Sequence, residues 1–230
     1  MEKIEGIQMS NPIIVVNFKT YSESSADNAV SLAHNIQEVS KDTGVTMAIA
    51  PQAVDLKSIR EAVDIPVYAQ HIDPITPGGH TGSYLPEALI QAGINGTLIN
   101  HSERRLTLAD IDAVVENTKK YNLTSILCAN NIKTSTACAY FEPDYIAIEP
   151  PKLIGSGVAV STANPEIVQN TVESIHKVND KIPVLCGAGI SSGDDVKAAL
   201  DLGAEGVLLA SGVIKADDQK QVLYDLVSKI

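Results

Sequence analysis

Glu149, His101 and Lys19 each stand at or just beyond the end of a short apolar run of the chain. A carboxylate can remove a proton, and a neutral imidazole can donate one hydrogen bond and accept another. An ammonium group stabilises a phosphate or a developing oxyanion. If the fold brings these three ends together, the side chains suit proton transfer on a small phosphorylated substrate.

Glu149 directly follows the apolar run Tyr145–Ile148. A carboxylate in that position is costly to bury unless it is paired or functional. Two prolines then stiffen the chain, and the following Gly155-Ser156-Gly157 can adopt many backbone angles. A stiff segment followed by a flexible one suits a lid that closes as a unit, although an ordinary proline turn is the better interpretation of this segment taken alone.

His101 lies in the block Asn100-His101-Ser102-Glu103-Arg104-Arg105, where it opens a predicted helical turn. The positive end of that turn favours the neutral ring. Lys19 ends the segment Asn17-Phe18-Lys19 and is either a functional cation or a solvated lysine. The other four histidines are less informative, two in predicted helices and two in the loop after the third apolar run: His34, His176, His71 and His80.

Small residues follow the last two apolar runs, in the segments Gly187-Ala188-Gly189-Ile190 and Ala210-Ser211-Gly212. Small side chains let backbone N–H groups approach an anion at the start of a helix. Many barrels of alternating strands and helices bind phosphate with the loops after strands seven and eight. The pattern therefore predicts a phosphate site and says little about the reaction.

Eight apolar runs rich in Val and Ile recur along the chain, and they are apolar throughout rather than alternating. Parallel strands that are covered on both faces have this pattern. The runs are Ile13–Val16, Met47–Ala50, Val67–Ala69, Thr97–Ile99, Ser125–Cys128, Tyr145–Ile148, Val184–Cys186 and Val207–Ala210.

Amphipathic stretches with helix-start signals separate the runs. The signals are Ser24 with Asp27, Thr107 with Asp110, Asn164 before Pro165, and Ser192 with Asp195. About eight alternations without a linker predict an α/β fold, a single (β/α)8 barrel over residues 1–230 with parallel strands and its active site at the carboxyl ends of the strands. An open doubly wound sheet is the alternative, but no G-x-G-x-x-G follows the first run.

The composition narrows the class of partner and the compartment. With a net charge of −11, the chain is not expected to bind nucleic acid or an anionic membrane. Its three cysteines, Cys128, Cys138 and Cys186, show no C-x-x-C spacing, so neither a disulfide framework nor a zinc site is expected. No signal-like or membrane-spanning stretch is present, and a cytoplasmic location is expected.

Taken together, these segments resemble the triosephosphate isomerase family along nearly the whole chain. The matching motifs are Asn17-Phe18-Lys19, the block Asn100–Arg105, and Ile148-Glu149-Pro150 with Ile154-Gly155-Ser156-Gly157. The first motif alone is weak, but the other two in this order are highly specific.

The resemblance implies an aldose–ketose isomerase that interconverts glyceraldehyde 3-phosphate and dihydroxyacetone phosphate through an enediolate, without metal or cofactor, in glycolysis and gluconeogenesis. Glu149 would move the carbon-bound proton, His101 would polarise the carbonyl, and Lys19 would stabilise the oxyanion. Asn17 would stand beside Lys19, and Glu103 would orient it. The implied substrate-binding residues are Asn17, Phe18, Lys19, Ile154, Gly155, Gly189, Ala210 and Ser211.

The chain departs from many family members at several points. It has no Trp, its lid begins Pro150-Pro151-Lys152-Leu153, and its loops after the seventh and eighth runs are shorter or differ in sequence. It is similar to the compact archaeal branch, whose members are often tetramers. In the family, the loop matching Pro77–Gly82 reaches into a neighbouring subunit. We therefore expect a homotetramer, with a homodimer as the alternative.

Two other functions are compatible with parts of the pattern. A sugar-phosphate epimerase or a lyase of amino-acid biosynthesis would also carry the phosphate-binding stretch Val184–Val213, but is not expected to combine it with the His101 block and Glu149. A catalytically inactive barrel kept as a binding protein is the third possibility, and the filled catalytic positions give no support to it.

Overall fold

A computed structural model describes residues 12–150 and 159–230 of the chain, and in them eight parallel strands alternate with helices around a barrel. The strands are β1 (Ile13–Asn17), β2 (Thr46–Ala50), β3 (Tyr68–Ala69), β4 (Gly96–Ile99), β5 (Thr124–Ala129), β6 (Tyr145–Ile148), β7 (Val184–Gly187) and β8 (Gly206–Leu209).

Helices follow every strand, and the first is preceded by a short 3-10 turn, Ser22–Ser24. The helices are α1 (Asp27–Thr43), α2 (Leu56–Ala62), α3 (Pro86–Gln91), α4 (Leu108–Tyr121), α5 (Ile132–Ala139), α6 (Val160–Ala163), α7 (Pro165–His176), α8 (Gly193–Asp201), α9 (Ser211–Ile214) and α10 (Gln219–Val227).

The strands are hydrogen-bonded in the order β2-β1-β8-β7-β6-β5-β4-β3, and all pairs are parallel. Between β2 and β3 a single bridge joins Ile49 to Val67, and the Ile49 N–H donates to the Pro66 carbonyl at 3.0 Å. The sheet is therefore a nearly closed barrel. The predicted parallel α/β barrel is confirmed, and the open doubly wound sheet is wrong.

Apolar side chains fill two layers, which explains why the strands do not alternate in polarity. In β1, Ile13 and Val15 belong to the cluster inside the barrel. Ile14 and Val16, from the same strand, belong to the larger cluster between the strands and the helices. All four are buried, so each face of the strand removes apolar surface from water.

The helix-start predictions have mixed outcomes. Ser192 and Asp195 form the predicted capping box of α8, and the Thr107 hydroxyl accepts from the Asp110 N–H at the start of α4. Ser24 does not cap α1, and that prediction is wrong. Its hydroxyl is buried and donates to the Phe18 carbonyl at 2.6 Å, because that inward-facing carbonyl needs a donor there.

All three cysteines are free and buried. Burial raises the pKa of Cys138 to about 11 and that of Cys186 to about 12. Burial also raises the pKa of Cys128, and the nearby charge of Glu149 adds to that effect. These thiols are therefore poor nucleophiles.

Within residues 12–150 and 159–230, no helix is long and apolar enough to span a membrane.

Candidate active site

A cavity of about 370 Å³ opens at the carboxyl ends of the strands. Its walls come from residues at or beyond the carboxyl ends of β1, β4, β6, β7 and β8. The lining residues are Asn17, Lys19, Tyr21, His101, Glu149, Ala188, Gly189, Ile190, Ser191, Leu208, Leu209, Ala210, Ser211, Gly212 and Lys215. The carboxyl face thus brings together the three chemical groups that the sequence singled out.

Glu149 is the first residue after β6, and its N–H donates to the Ala129 carbonyl at 2.8 Å. Its side chain is buried, with Oε1 lying 3.4 Å from Nε2 of His101. Its other oxygen, Oε2, is buried and has no hydrogen-bond partner among the described residues. An unpaired buried carboxylate oxygen destabilises the fold, so its presence beside the cavity points to a functional role.

Hydrogen bonding orients the His101 ring with Nε2 on the cavity side. The Glu103 N–H donates to Nδ1 of His101 at 3.2 Å, so Nδ1 is an acceptor. The ring proton then resides on Nε2, the nitrogen nearest Glu149. The arrangement provides a hydrogen-bond donor for a substrate oxygen without a positive charge.

Asn100 fixes the turn that presents His101. Its φ is 58°, in the left-handed region that a non-glycine residue rarely adopts. Its side-chain amide donates to the Cys128 carbonyl at 3.0 Å and accepts from the Leu106 N–H at 3.0 Å. The Arg105 guanidinium donates to the Asn100 carbonyl at 3.1 Å. These bonds hold the loop after β4 against the end of β5.

Lys19 also has a left-handed backbone, with a φ of 48°. Three contacts hold this conformation: its N–H donates to Asn17 Oδ1 at 3.0 Å, its Nζ donates to Glu103 Oε1 at 2.9 Å, and its carbonyl accepts from Gln70 Nε2 at 2.9 Å. The Lys19 side chain is only 12% exposed. The ammonium is therefore fixed at the cavity rather than solvated.

The predicted phosphate side of the cavity is lined by Gly189, Ala210 and Ser211. Ala188 and Gly189 both have positive φ, of 73° and 77°, so the loop after β7 turns sharply beside the cavity. Ser211 begins the short helix α9, and the first N–H groups of a helix have no partner within it. These positions are suited to an anion.

Not every predicted site residue lies at the cavity. The Phe18 side chain is fully buried in the core between strands and helices, and it does not line the cavity. Glu103 does not line this cavity, but it contacts Lys19 and His101 and lines an adjoining cavity that shares both residues. Ile154 and Gly155 lie outside the described residues.

The sequence reasoning missed three residues near the site, Gln70, Tyr21 and Lys215, and it named Gly187 only as part of the predicted phosphate segment. Gln70 is the first polar residue after the third apolar run, so the rule that identified Glu149 would also have found it. Gly187 ends β7 directly against Glu149, a contact that only the fold reveals. Tyr21 and Lys215 lie beyond their strand ends, where the sequence gives no comparable signal.

No group of three or more His, Cys, Asp or Glu side chains is placed to hold a metal ion in the part of the chain that the structure describes.

Comparison with known proteins assigns this arrangement to a family. A family model described as triosephosphate isomerase matches residues 12–229. The chain belongs to the triosephosphate isomerase family. Within this family, the triosephosphate isomerase of Methanobrevibacter smithii is 57% identical over 222 residues, which are 96% of this chain and 100% of the relative.

Two further relatives and one solved structure agree. The triosephosphate isomerase of Methanocaldococcus jannaschii is 56% identical over 95% of this chain and 100% of its own length. The triosephosphate isomerase of Methanothermobacter thermautotrophicus is 53% identical over 99% of this chain and 100% of its own length. A crystal structure of triosephosphate isomerase from Bartonella henselae has a TM-score of 0.76, with 19% identity over 94% of this chain and 99% of that chain, and shows the shared fold.

Proposed function

We propose that the chain is an aldose–ketose isomerase that interconverts glyceraldehyde 3-phosphate and dihydroxyacetone phosphate through an enediolate. The observation that carries the proposal is the convergence of Glu149, His101 and Lys19 on one cavity at the carboxyl face of a barrel of this family. Other phosphate-binding barrels, such as an epimerase or a lyase, are not supported by the family match.

In the proposed reaction, Glu149 removes the proton from the carbon next to the carbonyl. The electron pair of the broken C–H bond forms the C=C bond of the enediolate, and the carbonyl oxygen takes the negative charge. Nε2–H of His101 donates to that oxygen, and Lys19 stabilises the charge electrostatically. Glu149 then returns the proton to the neighbouring carbon, while His101 moves protons between the two oxygens.

Positioning explains the remaining proposed roles. Oδ1 of Asn17 supports Lys19 by accepting from the Lys19 backbone N–H, and Glu103 holds the Lys19 ammonium at 2.9 Å. Backbone groups at Gly189, Ala210 and Ser211 bind the phosphate, which faces them in the cavity. Ile154 and Gly155 are included as substrate contacts on the family resemblance alone. Excluding water would strengthen each of these charge interactions and protect an enediolate that can lose its phosphate.

The proposal also covers the domain organisation, location, metabolic role and assembly of the enzyme. We propose one domain over residues 1–230, a cytoplasmic location, and a role in glycolysis and gluconeogenesis. A homotetramer is proposed, with a homodimer as the alternative, because residues 76–83 are exposed and contain Pro77–Gly82, the loop that reaches into a neighbouring subunit in the family. Asp73 anchors this loop by accepting from the Tyr84 N–H at its far end.

The test is an assay of the purified protein with glyceraldehyde 3-phosphate, with and without a chelator. We expect dihydroxyacetone phosphate to form at the same rate in both conditions, since proton transfer by Glu149 and His101 needs neither metal nor cofactor. The absence of product would favour an inactive barrel. A rate that depends on added metal would contradict the proposed chemistry.

A further inference from the structure

Lys19 does not supply the positive charge that a phosphate would need at the proposed phosphate end of the cavity. Its ammonium is held by Glu103 at 2.9 Å and is assigned to the developing oxyanion rather than to the phosphate. Glu149 adds a negative charge to the same cavity. A phosphate dianion approaching a chain of net charge −11 therefore needs a further local cation.

Lys215 is the other cation that lines the cavity among the described residues. It comes directly after α9, whose first residue, Ser211, is on the proposed phosphate side. It takes part in none of the ion pairs found within residues 12–150 and 159–230. Glu23 is close enough for Lys215 to contribute to its lowered pKa, but backbone and Ser22 hydrogen bonds are the larger causes.

Tyr21 gives Lys215 a defined position. The Nζ of Lys215 lies 4.7 Å from the centroid of the Tyr21 ring, a cation–π contact. Tyr21 comes from the loop after β1 and lines the same cavity. A lysine held on an aromatic face keeps its charge near the cavity mouth without being neutralised by a carboxylate, which leaves the charge available to an anion.

We propose that Lys215 is a second cationic ligand for the phosphate of the substrate, and that the Tyr21 ring holds it in place for this contact. The inference rests on the proposed isomerase function, because it assigns a specificity residue to that same site. Lys215 would act on binding rather than on the proton transfer, since Glu149 and His101 carry the reacting groups.

The test compares Lys215→Gln with Lys41→Gln, which removes the same charge from an exposed position near the end of α1. We expect Lys215→Gln to raise KM for glyceraldehyde 3-phosphate and the inhibition constant of inorganic phosphate by about tenfold, with kcat within about threefold. Lys215→Arg keeps the charge and should stay within about threefold of the wild type. Lys41→Gln should change neither constant by more than about twofold.

Salt and Tyr21 give two further readouts. The fall of kcat/KM with ionic strength should be shallower in Lys215→Gln than in the wild type, because one attractive charge is missing. Tyr21→Leu should raise KM for glyceraldehyde 3-phosphate and the inhibition constant of inorganic phosphate by a smaller factor than Lys215→Gln does. Unchanged constants in Tyr21→Leu would overturn the role of the ring.

The proposal is overturned if Lys215→Gln leaves the inhibition constant of phosphate within about twofold of the wild type, or if Lys41→Gln raises it equally. Its failure can be separated from that of the isomerase function. If the wild type does not convert glyceraldehyde 3-phosphate, the proposed isomerase function fails. Calorimetric titration of the wild type and of Lys215→Gln with inorganic phosphate still measures the contribution of Lys215 to phosphate binding.

Discussion

Gly187 lies directly against Glu149: a β-carbon added at Gly187 would be 2.5 Å from Cγ of Glu149. No side chain can occupy that position without moving the carboxylate or the end of β7. The glycine is therefore required by the geometry of the proposed base rather than by a turn.

Gly187→Ala should displace the Glu149 carboxylate. A misplacement of about 1 Å can lower kcat by about a hundredfold, and we expect a loss of that order. The inhibition constant of inorganic phosphate should change by less than about threefold, which would show that the barrel is folded. Normal kcat in this variant would mean that Glu149 tolerates a large displacement or is not the base.

Shortening the base tests it directly. Glu149→Asp withdraws the carboxylate by one methylene, and kcat should fall by about a hundredfold or more if positioning matters as proposed. Glu116→Asp makes the same change at an exposed position on α4 and should leave kcat unaltered. Steady-state kinetics would measure both, and an unchanged kcat for Glu149→Asp would remove Glu149 from the mechanism.

Gln70 is expected to position Lys19. Gln70→Met removes the amide that donates to Lys19, whose left-handed backbone is strained by roughly 1–3 kcal/mol. We expect kcat/KM to fall about tenfold and Tm to fall by roughly 2–6 °C. The control is Gln52→Met, because Gln52 donates to Ser25 at 2.6 Å, away from Lys19. Equal losses in both variants would argue for a general packing effect.

His71 should make stability depend on pH. It is buried beside Asp73, with 2.9 Å between Nε2 and Oδ1, and burial lowers the pKa of His71. Below about pH 6.5 the unfolded chain therefore takes up a proton before the folded chain does, so the free energy of unfolding falls as the pH falls towards the folded-state pKa. The Asp73 pKa is lowered from 3.8, so Asp73 titrates below this window.

The slope attributable to His71 is at most about 1.4 kcal/mol per pH unit. Thermal unfolding between pH 6.5 and 5 should show a shallower decline in His71→Asn than in the wild type. His34→Asn, at an exposed position on α1, should decline like the wild type. Parallel curves for the wild type and His71→Asn would contradict the burial argument.

The assembly prediction is measured by sedimentation at micromolar concentration. We expect a species with the mass of four copies of the 24.4 kDa chain. A species of two copies would select the homodimer instead. A stable monomer would contradict the role assigned to the exposed loop at residues 76–83.

The sequence was sufficient for the architecture because both faces of each strand are apolar, and this pattern is typical of parallel strands between two layers. It also singled out Glu149, His101 and Lys19, since each stands one to three residues beyond the end of an apolar run, and all three line one cavity. It could not show that Phe18 turns into the core, because residues that follow one another at a strand end can point to opposite sides.

Long-range contacts account for the other omissions. The contact between Gly187 and Glu149 joins β6 and β7, and the stacking of Lys215 on Tyr21 joins residues 194 positions apart. Neither contact leaves a local pattern. Ser24 failed as a helix cap for a local reason, since its hydroxyl donates to the Phe18 carbonyl six residues earlier.

The sparse pairing between β2 and β3 affects where the barrel opens first. Only one bridge, Ile49 to Val67, joins these strands, so amide hydrogen exchange should report the earliest opening of the barrel along this line. The amide of Gln70 spans the same line, donating to Ala50 at 2.9 Å and to Lys19 at 2.9 Å. A fluctuation that separates β2 from β3 would therefore also break the hydrogen bond from Gln70 to Lys19, so the opening of the barrel and the position of Lys19 are linked.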